Sequence, residues 1–156
     1  RDFCLSRGLG DVYKRQTIDR MDAKDTTLRI VDYKTGGSPK TPANIEQLFT
    51  PSETRPNYIF QTFLYAAIMS RQQSLKVAPS LLYIHRAASE SYSPVIEMGE
   101  PRQPKIPVSN FAFFEDEFRE RLQRLLEEIF DENEPFTQTE DTKKCTYCDF
   151  KAICKR

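Results

Sequence analysis

The sequence carries no excess of either charge: Lys plus Arg and Asp plus Glu each number 23 in 156 residues, so the formal net charge is zero. That excludes a broadly basic surface as the means of gripping nucleic acid, and leaves any such contact to local patches or to another domain. No apolar run approaches the roughly 18 residues that a membrane span requires. No secretory signal pattern opens the chain. The reading is a cytoplasmic protein with no membrane partner. Histidine is nearly absent, with His85 alone, and only four cysteines occur. Three of those cysteines crowd into the last dozen residues, which favours metal or cluster ligation in a reducing compartment over a disulfide framework. What remains is ordinary for a soluble globular protein, with 38% hydrophobic and 29% charged residues. The length suits one domain with a real core.

The chain is organised around Thr17–Gly37, TIDRMDAKDTTLRIVDYKTGG. It reads as two short strands joined by a polar turn over Ala23–Thr26. In the second strand Leu28, Ile30, Asp32 and Lys34 alternate with Arg29, Val31 and Tyr33. A strand has period two, so Asp32 and Lys34 leave the same face. That face begins apolar and ends on a carboxylate and an ammonium, just before Gly36–Gly37 turns the chain away. Asp19 lies between Ile18 and Arg20 in the first strand, and antiparallel pairing would set it beside Asp32. Two carboxylates and a lysine at the wet end of a hairpin suggest a metal site. The plain alternative is a surface hairpin with a solvated Asp–Lys pair.

IDRMD followed by IVDYKTG resembles the core of the PD-(D/E)XK nucleases, specifically the RecB-like group found in AddB-type helicase–nucleases. The resemblance implies a restriction-endonuclease-like α/β fold with a mixed central sheet flanked by helices. It implies that Asp19 and Asp32, with the Tyr33 carbonyl, bind Mg²⁺ or Mn²⁺, and that Lys34 serves catalysis. Hard carboxylate oxygens suit such ions.

Residues 1–16 show no sustained helical or strand period, and their RGLGDVYKRQ portion resembles a non-native leader. They are set apart from a nuclease core over 17–140, with a genuine N-terminal arm as the alternative. On the leader reading the fold is incomplete at its N-terminus and the native protein is longer. Ser38–Pro56, rich in Pro, Ser and Thr, reads as a long loop with one helical turn at Asn44–Phe49, either closing over a substrate or plainly connecting.

Asn57–Gln72 reads as a largely buried helix, on which Gln61 and Tyr65 stand at i and i+4 and share a face. They resemble the QxxxY motif of RecB-like nucleases, which implies a place beside the active site and contact with DNA; otherwise they are a satisfied polar pair in a core. Val77–Arg86 reads as a central strand supplying both faces. His85 at its end is more readily structural or solvated than a ligand. Ser91–Glu97 suits an edge strand, since Pro94 is tolerated there, and Gly99–Pro107 a linker. Ser109–Asp131 reads as a helix capped by Ser109 or Asn110. Its Phe114, Phe118, Leu122, Leu125, Leu126 and Ile129 form a core stripe, and its acidic face, including Glu115, is solvated.

The tail, 141–156, presents Cys145, Cys148 and Cys154 in a C-x2-C-x5-C spacing. Soft thiolates select iron–sulfur or zinc centres, and a closed site wants a fourth ligand. AddB-type nucleases have a similar arrangement, which implies a [4Fe–4S] cluster on these cysteines with its fourth ligand absent from this chain. Zinc held by the three cysteines and His85 is the second reading. Cys4 lies in the presumed leader and is not taken as the fourth ligand. Lys143, Lys144, Lys151, Lys155 and Arg156 surround the cysteines and would meet DNA phosphates. Together these readings make the chain a metal-dependent DNA nuclease that works with a helicase or motor subunit or domain in repair and recombination. The alternatives are a non-catalytic iron–sulfur- or zinc-stabilised DNA-binding module, or a scaffold domain of a helicase complex.

Overall fold

The computed structural model describes residues 2–4, 15–135, 137–139 and 142–155, with no account of the side chains of 2–4, 15, 16 and 144. The chain divides into two compact units, 1–123 and 124–156. The junction expected at 140–141 and the side chains of Cys4, Lys144 and Arg156 lie outside the described residues. At the start of the chain, β1 (Asp2–Cys4) pairs antiparallel with β2 (Arg15–Thr17) as a two-stranded sheet of its own. Short strands therefore occur where the sequence shows no strand period; backbone pairing of three residues needs no side-chain alternation.

The hairpin forms as β3 (Arg20–Lys24) and β4 (Thr27–Lys34), with Arg20 opposite Val31 and Lys24 opposite Thr27. Its turn is only Asp25–Thr26, tighter than the four residues expected. Asp25 takes φ 53°, a left-handed conformation that a short polar side chain tolerates. Directly across the pair, Arg29 forks onto Asp22, Nε to Oδ1 at 2.9 Å and Nη2 to Oδ2 at 2.8 Å.

β5 (Lys76–Tyr83) lies parallel to β4, Thr27 opposite Lys76 and Lys34 opposite Tyr83, so the sheet β3-β4-β5 is mixed. Parallel neighbours need a crossover. Here it contains α1 (Glu46–Phe49) and α2 (Asn57–Met69), and α2 packs on β4 and β5. The crossover loop is pinned to the body. Ile45 and Leu48 are buried, Asn44 Oδ1 accepts from Gln47 N–H at 3.2 Å, and Arg55 Nε donates to the Leu48 carbonyl at 2.7 Å.

β5 ends at Tyr83, and Ile84–Arg86 turns into a short 3-10 helix instead of continuing the expected strand. Ser91–Glu97 meets β5 through a single bridge, Ser80 to Val95, with the Pro94 carbonyl accepting from Leu81 N–H at 2.9 Å. The Tyr92 hydroxyl fills in beside it, accepting from Tyr83 N–H at 2.9 Å and donating to the Leu81 carbonyl at 2.7 Å. The expected linker 99–107 is instead the end of a small hairpin, β6 (Glu97–Met98) with β7 (Ile106–Pro107).

α3 runs over Ala112–Phe130, and Asn110 Oδ1 accepts from Ala112 N–H at 3.2 Å. Phe118 is fully buried against Phe63 and Phe111, at ring distances of 5.8 and 5.9 Å. The expected stripe stops short: Leu126 and Ile129 are exposed. Nor is Glu115 simply solvated. It accepts from Ser70 Oγ at 2.8 Å and from Arg119 Nε at 2.7 Å, while Arg119 Nη2 donates to the Ala67 carbonyl, so the pair closes the C-terminal end of α2.

Candidate active site

The sheet register brings the hairpin's polar residues to one end. Asp19 does not lie in β3; it occupies the bend just before it. There Asp19 Oδ2 accepts from Tyr33 N–H at 2.8 Å. One step beyond the Arg20–Val31 pair, Asp19 therefore reaches β4 beside Asp32. Tyr33 leaves the opposite face of β4 and is exposed.

Asp32 points to the α2 side and is buried, with 3% of its surface exposed. Lys34 Nζ lies 2.5 Å from Asp32 Oδ2. The contact is close as an ion pair but poorly directed as a hydrogen bond, and Oδ2 has no aligned donor. Burial pushes the Asp32 carboxyl above the usual aspartate range. Lys34 pulls it back only in part, and the charge of Asp19 adds to the rise.

From Lys34 the contacts pass to α2. Lys34 Nζ donates to Gln61 Oε1 at 2.9 Å, and Gln61 Nε2 donates to Tyr65 Oη at 2.7 Å. Gln61 and Tyr65 thus face Lys34 and not α3. Tyr65 is buried, which raises its phenol above the usual value, and it feels the charges of Asp32, Lys34 and Asp19 as well. On the same helix, Lys34 Nζ sits 4.4 Å from the centre of the Tyr58 ring. Tyr58 escapes a reading by motif, although its i, i+3 spacing to Gln61 puts both on one helix face. The structure therefore gathers Asp19, Asp32, Lys34, Gln61 and Tyr65 at one end of β4, with Tyr58 beside them.

A family comparison covers nearly all of this chain: residues 15–155 match the PD-(D/E)XK nuclease superfamily. The chain belongs to that superfamily. No curated protein and no solved structure gives a significant match. The mixed sheet with flanking helices agrees with the restriction-endonuclease-like fold of PD-(D/E)XK proteins, and membership implies nuclease hydrolase activity. Such nucleases typically use Mg²⁺ or Mn²⁺. The donors here fit an ion of that kind, since Asp32 offers a buried, undirected carboxylate oxygen and hard oxygens are what these ions prefer.

The cysteine tail differs. Cys145, Cys148 and Cys154 are half-buried free thiols on a 3-10 helix (Thr142–Tyr147) and the turns after it. Among the described residues, no three His, Cys, Asp or Glu side chains are gathered as a metal-holding group. His85 is exposed in the turn after β5, edge-on to Tyr83 with ring centres 6.0 Å apart. Among the described residues, no helix is long and apolar enough to cross a membrane.

Proposed function

We propose that this PD-(D/E)XK domain is a metal-dependent deoxyribonuclease that hydrolyses phosphodiester bonds, in a helicase–nuclease system of the RecB-like, AddB type. The observation that carries the reading is Asp32: a buried carboxylate whose Oδ2 lacks a directed donor, held beside the Lys34 ammonium. Burying a carboxylate this way is costly, and a divalent cation offsets that cost. Asp19 and Asp32 would hold the ion, with the Tyr33 carbonyl as a further oxygen. A bound Mg²⁺ supplies Lewis-acid polarisation of a phosphoryl oxygen and a more acidic bound water.

The remaining steps fall to the chain's own residues. Lys34 orients the attacking water or stabilises charge growing on the phosphate oxygens. Gln61 holds Lys34 by its carbonyl oxygen and Tyr65 by its amide. Because Tyr65 Oη accepts from Gln61, its own proton is left to donate toward the DNA strand. Asp32 and Lys34 as a fixed pair on one strand face restrict where the scissile phosphate can sit.

The C-x2-C-x5-C spacing supports an iron–sulfur centre in a structural role, completed by a ligand other than these three thiols. No catalytic step depends on it.

The test is DNA cleavage by the full-length protein with Mg²⁺. Asp32→Asn, which alters charge at nearly constant shape, and Lys34→Ala should each lower kcat by about 100-fold or more. Cleavage that persists unchanged in either variant ends the reading.

A further inference from the structure

We propose that Tyr58 is a positioning residue for Lys34, its ring face fixing the direction of the ammonium; this rests on the nuclease reading of the site above. Lysine ends in a compact charge on a flexible four-carbon stem, so a catalytic lysine needs its direction set from outside. Three groups surround this one. Asp32 Oδ2 lies 2.5 Å from Nζ, Gln61 Oε1 accepts at 2.9 Å, and the Tyr58 ring centre stands at 4.4 Å, well inside the range of a cation–π contact.

Two of the three come from one face of α2, since Tyr58 and Gln61 are separated by three residues. Tyr65, four residues further, holds Gln61 in turn. The ladder Tyr58–Gln61–Tyr65 therefore converts the placement of one helix into the placement of one ammonium. The carboxylate adds an ion pair at 2.5 Å, and the ring and the amide oxygen set the remaining directions of the ammonium.

Core burial does not explain where Tyr58 sits, since it is 40% exposed. Its ring is set instead by neighbours that belong to the site. Gly37 follows Lys34 by three residues at φ 78°, and a Cβ there would come within 3.1 Å of Tyr58 Cε2. The glycine turn that ends the catalytic strand thus leaves room for the ring edge. Tyr83 borders the ring from β5, with centres 6.5 Å apart. The ring is held where Lys34 needs it and is open on its remaining surface.

The experiment compares Tyr58→Phe, which keeps the ring, with Tyr58→Leu, which keeps apolar bulk but loses the π face. Both are assayed in the full-length protein for Mg²⁺-dependent DNA cleavage. Tyr58→Leu should lower kcat about tenfold with KM for DNA little changed, and Tyr58→Phe should restore kcat. In a Lys34→Met background Tyr58→Leu should cost nothing further, since the two act through one contact.

A second measurement needs no activity. Lys34 Nζ lies over an aromatic face, so the protons on the adjoining Cε should show an upfield ring-current shift, kept in Tyr58→Phe and lost in Tyr58→Leu. A normal Lys34 shift in the wild type, or unchanged kcat in Tyr58→Leu, overturns the inference and leaves the nuclease reading intact. A raised KM at constant kcat overturns it in favour of direct contact with the DNA. A wild type that shows the ring-current shift but cleaves no DNA overturns the nuclease reading instead, and with it a catalytic purpose for the contact.

Discussion

At Asp32, folding stability and function pull in opposite directions. Its carboxyl is pushed up chiefly by burial, so the folded protein binds that proton more tightly than the unfolded chain does. Stability from this group is fully present below the ordinary aspartate pKa and is lost as pH rises through the raised folded value. At neutral pH the ionised carboxylate is therefore a cost. Asp32→Asn removes that charge, so at neutral pH the metal-free variant should melt at the same temperature as the wild type or higher. The same substitution should abolish the Tm increase that Mg²⁺ alone gives the wild type, because a ligand stabilises only the state that binds it. Thermal melts with and without Mg²⁺ check both. A wild type indifferent to Mg²⁺ would count against Asp32 as a ligand.

At the scale of elements, α2 is the part whose placement matters most, since it carries Tyr58, Gln61 and Tyr65 to the end of β4. Its first turn follows the pinned crossover loop, and its last turn is closed from α3. Arg119 donates to the Ala67 carbonyl and to Glu115 Oε1, which also accepts from Ser70 Oγ. Arg119→Ala removes a charged donor from a half-buried helix end and should cost about 1–3 kcal/mol. Chemical denaturation measures that loss. Because the Gln61–Lys34 contact lies about two turns away along α2, kcat should fall less than in Tyr58→Leu. A larger fall in kcat than in stability would mean that α2 shifts as a body. The second half of α3 behaves differently, with Leu126, Ile129 and Phe130 exposed in the second unit. Replacing Ile129 by Ala should be nearly silent for stability, whereas Phe118→Ala should cost about 3–5 kcal/mol by leaving a cavity among Phe63 and Phe111.

For the molecule as a whole, two aspartates of one hairpin oppose each other in their response to pH. Asp22 is held below the usual carboxylate range, first by its hydrogen bond to Arg29. Its contribution is present above the ordinary aspartate pKa, about 3.9, and is lost as pH falls through the lowered folded value. Asp22→Asn should thus be less stable than the wild type at neutral pH, with the gap closing in acid. The advantage of Asp32→Asn should also close in acid, from the other side. Urea unfolding across the acid range separates the two. Much of this was legible in the chain itself. Period-two alternation put Asp32 and Lys34 on one face, and helical spacing put Gln61 and Tyr65 on another, because both periodicities are properties of the local backbone. The buried helix, expected over Asn57–Gln72 and found over Asn57–Met69, follows from an apolar pattern of the same short range, whereas the mixed sheet was implied only by the resemblance to PD-(D/E)XK nucleases. Contacts between segments distant in sequence were not legible. Nothing local tells that the Arg119 guanidinium closes α2, that Leu126 and Ile129 are exposed despite continuing the apolar stripe, or that Tyr58 lies over Lys34. Those depend on which faces meet after the crossover closes. Spacing along the chain specifies direction from one element; only packing specifies what waits on the other side.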